Sequence, residues 1–186
     1  MGTINASFGL RPSKHPSGTI RMETMPIASG YGTSIYSGAP VAIAADGTIT
    51  AAAAGSRAVG VFLGCEFTES NGRRRVSPYW PASTVASDAI ARVTVDPDIV
   101  YEVQADAALS QAAVGSQYDW TANGSANGNT STGQSSVALG VSTNAANAGL
   151  QLLGPVPYVD NALADTYPLV FVRISEHQHR ADVAQF

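Results

Sequence analysis

The stretch "AVGVFLGCEF", residues 58–67, sets the reading of the chain. Val59, Val61, Leu63, Cys65 and Phe67 alternate with Ala58, Gly60, Phe62, Gly64 and Glu66, the period of a β-strand. The small residues of the second face let another layer approach closely. Upstream, Val41 and Ile43 make a short strand, Asp46-Gly47 a tight hairpin, and Ile49 opens the return strand. Downstream, Asn71-Gly72 is the strongest short hairpin signal. It leads into Arg73 to Trp80, which Pro78 and Pro81 push toward a sheet edge.

The same pattern extends to both ends. Thr19 to Met25 reads as a first strand, and residues 90–95 and 99–105 as a pair with Pro97 in the turn between them. Residues 106–114 suggest one short helix ending at Gly115. Residues 121–136, "TANGSANGNTSTGQSS", hold no charge and no large apolar side chain and read as an exposed loop. Residues 136–142, 150–156 and 169–175 supply the last strands, and the tail from Glu176 is polar. Residues 1–18 are rich in Gly, Pro and Ser without a period and read as an extended N-terminal arm on a β-rich domain, 19–186. About ten short strands separated by Gly and Pro turns make a mainly β fold, a single β-barrel or β-sandwich-like domain with at most one or two short helices. There is no βαβ alternation to build a doubly wound nucleotide fold.

Composition narrows the function. The chain has 186 residues, enough for one domain with a real core. Only 13% are charged, against roughly 25% in ordinary soluble domains. A surface of small neutral side chains is inexpensive to bury against a partner, because few charges need desolvation. The net charge of -4 argues against a nucleic-acid surface, which needs clustered Lys and Arg. Arg73-Arg74-Arg75 is the only dense basic run and reads as a charged hairpin edge or a contact to an acidic partner. A single cysteine permits no intrachain disulfide. No apolar run of about 18 residues suits a membrane span, and the start lacks the basic and apolar regions of a secretory signal.

Candidate chemistry is sparse. No phosphate loop, dinucleotide motif, zinc-protease motif, C-x-x-C or nucleophile elbow occurs. The stretch "DPDIVYEVQAD", residues 96–106, holds Asp96, Asp98, Glu102 and Asp106. Asp96 and Asp98 flank Pro97 as turn formers, and Glu102, Gln104 and Asp106 fall by period two on the wet face of a strand whose other face is Ile99, Tyr101, Val103 and Ala105. A carboxylate pair in a cleft, or a calcium or magnesium site, is the alternative. His177 and His179 form an H-x-H pair, read as part of a solvated tail rather than a metal site. Cys65 lies on the apolar face of its strand and reads as buried and structural. No catalytic residue, cofactor or metal is expected.

Four stretches in order carry a family resemblance: "NASFGLRP" (5–12), "GAPVAIAADGTITAAAAGSRAVGVFLGCEF" (38–67), "DPDIVYEVQAD" (96–106) and "LQLLGPVPYVDNALADTYPLVFVRISEHQH" (150–179). Together they resemble virion structural proteins of tailed bacteriophages, with a looser likeness to the small head decoration proteins of lambda-like phages. The resemblance spans most of the chain, and residues 121–136 fall outside it. It implies a capsid decoration, or cement, protein on the outer surface of the virion head, made in the host cytoplasm. Its implied partners are the major capsid protein and further copies of itself, as a homotrimer, with neither nucleic acid nor membrane. The arm, with Phe8, Leu10, Arg11 and Pro12, is the expected partner-binding segment, because apolar residues in an otherwise unstructured stretch suit anchoring. A head-fibre or tail component is the rival within virions. A carbohydrate-binding β-sandwich using Tyr79, Trp80 and Trp120 as stacking platforms is the rival outside them.

Overall fold

The computed structural model describes residues 4–121, 123, 127–143, 145 and 147–180. Fifteen strands follow in chain order. They are β1 (Arg11–Lys14), β2 (Glu23–Pro26), β3 (Ile35–Tyr36), β4 (Pro40–Ile43), β5 (Ile49–Ala51), β6 (Gly60–Thr68), β7 (Arg74–Ser77) and β8 (Tyr79–Trp80). Then come β9 (Ile90–Thr94), β10 (Val100–Gln104), β11 (Gln117–Tyr118), β12 (Gly128–Asn129), β13 (Gln134–Ser135), β14 (Leu150–Pro155) and β15 (Leu169–Ile174). The domain is mainly β, as the turn spacing implies, and every pairing between these strands is antiparallel.

Two sheets carry the fold. One has the order β1-β10-β15-β14-β11. The other has the order β2-β9-β6-β4-β5, with β7 also pairing β6. The second sheet is apolar on both faces. Val61 packs with Tyr101, Val103, Leu152 and Val172 of the first sheet. Val41, Phe62, Cys65, Phe67 and Val93 form a separate core with Ile27, Ile35 and Trp80. The result is a sandwich with a further cover on its second sheet, made by the small β3–β8 pair and the loops around it.

β6 is the expected strand, but its alternation is broken. A bulge between Phe62 and Gly64 shifts the register against β9, with Gly64 at φ 142°, a backbone that L side chains rarely adopt. Phe62, expected on the small-residue face, therefore shares a core with Cys65 and Phe67, while Val61 faces the first sheet. The Asp46-Gly47 and Asn71-Gly72 turns join the strands predicted for them, β4 to β5 and β6 to β7. β7 pairs only β6, as expected of an edge.

Five expectations are corrected. Residues 90–95 and 99–105 are not a hairpin: β9 belongs to the second sheet and β10 to the first, so Pro97 sits in a crossover. This connection lets Thr94 and Tyr101 meet between the sheets, hydroxyl to hydroxyl at 3.0 Å. Residues 106–114 form only a 3-10 turn at Gln111–Ala113, because Leu109 must turn inward to the core. Residues 136–142 pair only as isolated bridges, through Leu139 to Ala105 and to Trp120.

The described part of the loop 121–136 is anchored at Asn123 and Gly128 while residues 129–132 stay exposed as expected, and residues 122 and 124–126 lie outside the described set. Asn123 donates to Pro40 O and Ala52 O at 2.8 and 3.0 Å. Gly128 lies so close to the Tyr36 ring that a Cβ there would stand 2.2 Å from it, which is why a residue without a side chain is needed. Last, the described part of the arm is part of the domain. Leu10 is 0% exposed in the first core, and β1 pairs β10. The boundary at residue 18 therefore has no structural counterpart.

Candidate functional site

The acids of the opening of 96–106 work as turn and tie. Asp96 Oδ1 accepts from Asp98 N–H at 2.9 Å, and Asp96 Oδ2 faces His15 Nε2 at 3.2 Å. Arg180 bonds Asp98, so the segments around His15 and Arg180 are both fastened to this crossover. Ile99, Tyr101, Val103 and Ala105 enter the core as expected. The supposed wet face is wet only at Asp106, which is exposed as expected, while Glu102 and Gln104 are both buried. Gln104 is covered by the N-terminal segment, donating to Ile4 O at 2.9 Å and accepting from Ala6 N–H at 2.8 Å. The alternation was read correctly, but the strand has a cover that period two does not reveal.

The described part of the tail, residues 176–180, is also docked. Ala58 pairs with it on both sides, donating to Glu176 O and accepting from Gln178 N–H. The His177 ring is buried, and its Nδ1 accepts from His179 N–H at 3.1 Å, which places the proton of the neutral ring on Nε2. Burial, followed by the neighbouring His179 and Arg180, pushes the His177 pKa down to about 4, while Asp96 opposes. No group of three or more His, Cys, Asp or Glu able to hold a metal occurs among the described residues.

A pH dependence follows. His177 has an ordinary value of 6.5 when unfolded and about 4 when folded, so the unfolded chain binds more protons between those values. Stability is expected to fall as pH drops from about 6.5 to about 4, with no further loss from this group below. Urea midpoints for wild type and His177→Gln between pH 7 and 4 check this: the variant's curve should be flatter. Asp96 is held below its usual 3.8, first by the Asp98 backbone and then by His15, so its contribution is lost only at still lower pH.

Cys65 is buried against Tyr79 O at 3.4 Å, and burial raises its pKa to about 12 against the pull of Arg75. Such a thiol stays protonated at neutral pH and is no nucleophile. The proposed sugar platforms are also inside. Trp80 and Trp120 are fully buried, Trp80 edge-on to Phe67, and Tyr79 is half-buried and stacked on Tyr36 at 5.5 Å. The three form no exposed aromatic surface. Arg74 and Arg75 lie on the hairpin edge and pair with Glu66, Asp88 and Glu69.

One groove of about 570 Å³ lies open on the outer face of the first sheet. Two of the four predicted binding residues line it. Phe8 forms a wall, and Arg11 lies over the Phe8 ring at 4.4 Å from its centroid. The other two do not: Leu10 is in the core, and Pro12 stands opposite Tyr101 in β1. Alternation separates Arg11 from Leu10 and Pro12, and Gly9, at φ 76°, breaks that alternation so that Phe8 joins Arg11 rather than Leu10. Glu102, directly opposite Arg11 across the β1–β10 ladder, forms part of the groove's lining.

The far side is the turn at Tyr158–Asp160 together with Leu169. Asn161 fixes this turn to β15, donating to Val156 O and Leu169 O and accepting from Leu169 N–H, each at 2.8 Å. Held this way, Tyr158 is 46% exposed and Val159 fully so. Sequence reading missed Glu102, Tyr158, Val159 and Leu169 as site residues. The available signal was "VPYVDN", two large side chains between a proline and a turn-forming Asp-Asn. With this geometry in view, no protein-family model, curated protein or solved structure matches the chain.

Proposed function

We propose that this protein is a non-enzymatic virion structural protein, a decoration protein that binds the outside of a tailed-phage head and braces the shell. One observation carries the reading from the structural side: the groove of Phe8, Tyr158 and Val159 offers exposed apolar surface on rigid elements, in a chain with few charges to desolvate. The ordered resemblance of four sequence blocks to virion proteins supplies the context. The partner is the major capsid protein, and copies of the chain associate as trimers on the shell. A subunit that bridges neighbouring shell proteins binds only the assembled lattice, and so stabilises it by mass action.

Image reconstruction of purified particles tests this. Density for the chain is expected on the outer shell surface, and Phe8→Ala with Val159→Asp should lower occupancy tenfold or more, about 1.4 kcal/mol per site. Density confined to a tail or fibre, or unchanged occupancy by the double variant, overturns it.

A further inference from the structure

Glu102 is the unusual member of the groove. Its side chain lines the cavity, yet the residue is only 5% exposed. The one hydrogen bond its carboxylate makes among the described residues is a long one, from Tyr158 Oη at 3.5 Å. Arg11 stands opposite it across the ladder but makes no ion pair with it, its guanidinium lying over Phe8 instead. A carboxylate removed from water without a cation is unfavourable, and a charge-assisted bond relieves that. The groove is also lined by Arg11 and Asp160. Its walls are the Phe8 and Tyr158 rings and the apolar side chains of Val159 and Leu169.

We propose that the groove receives a lysine or arginine side chain of a partner protein, its charged head on Glu102 and its aliphatic stem along Val159 and Leu169. Long basic side chains suit such a site because an apolar stem and a charged tip are buried together, and the Tyr158 ring adds attraction for the cation where Arg11 already covers Phe8. This inference rests on the reading of the groove as the docking site for the shell protein.

The test uses the full chain and three peptides, Ac-Ala-Val-Xaa-Val-Ala-NH2 with Lys, Gln or Glu at the centre, followed by NMR titration. The lysine peptide should bind at least tenfold tighter than the glutamine peptide and shift the Tyr158 and Val159 resonances. In Glu102→Gln the preference should vanish. Val159→Ser, a rim substitution on a fully exposed residue, should weaken the lysine peptide several-fold without changing the fold. Preference for the glutamate peptide, a lysine preference that survives Glu102→Gln, or no binding of any peptide overturns the proposal. Shell occupancy separates the two readings. If wild type and Glu102→Gln decorate shells equally, the basic-side-chain inference fails and the decoration role stands. If the lysine preference holds but wild type does not bind shells, the decoration role fails and the groove inference stands.

Discussion

A chain lacking residues 1–14 is expected to lose its cooperative thermal transition or to melt far below wild type. The reason is that this segment is part of the sandwich. Leu10 is fully buried with Tyr101, Val103 and Val172, and the loss of such a leucine to alanine alone costs about 2–5 kcal/mol. Truncation removes more. It strips β1 from β10, and with it the pairing of Arg11 with Glu102 and of Pro12 with Tyr101. It frees Val137 O and Gly38 O, which now accept from Gly9 and Leu10 at 3.1 and 2.8 Å. It uncovers Gln104, whose side-chain amide is engaged at both ends by Ile4 and Ala6. Together these losses approach the whole stability of an ordinary domain, about 5–15 kcal/mol. Circular dichroism melts of the truncated chain and of Leu10→Ala check it. A truncated chain that melts like wild type would show that the segment is an appendage after all.

Trp120→Ala should cost about 3–5 kcal/mol, the range for removing a large aromatic from a core. Trp120 is fully buried, and its indole Nε1–H donates to Ala52 O at 3.3 Å. Gly149 packs on the ring so closely that a Cβ there would meet Cζ3 at 2.2 Å. The site is therefore tightly filled, and deletion leaves a cavity, while Ala52 O keeps its bond from Asn123. Urea unfolding followed by circular dichroism gives the difference directly. A loss below about 1 kcal/mol would mean that the indole is not core, and would return it to the surface as a stacking platform for sugars.

Much of the local architecture was legible in the residues. The strand at 58–67, though not its faces across the Phe62/Gly64 bulge, the Asp46-Gly47 and Asn71-Gly72 turns, and the buried side of Ile99, Tyr101, Val103 and Ala105 all depend on neighbours a few positions apart. The mainly β class and the burial of Cys65 follow from the same short-range rules. What period two cannot tell is which face has a cover. Glu102 and Gln104 looked solvated because they alternate with apolar residues, yet segments about 55 to 100 positions away in sequence lie over them. The same holds for the arm, for the loop at 123 and 128, and for His177. Each is polar or small in composition and reads as surface, and each is held by partners distant in the chain. The groove is the sharpest case. Phe8 and Arg11 were named from the sequence, but their value as a site comes from Glu102 across a ladder and from Tyr158 and Val159 on a turn that Asn161 anchors. Residue type and spacing determined the longer strands β4, β6, β9, β10, β14 and β15 and the Asp46-Gly47 and Asn71-Gly72 turns. Only the stacking of two sheets, with residues 4–14 and 176–180 laid across them, decided which polar groups lost water and where a carboxylate was left facing an apolar groove.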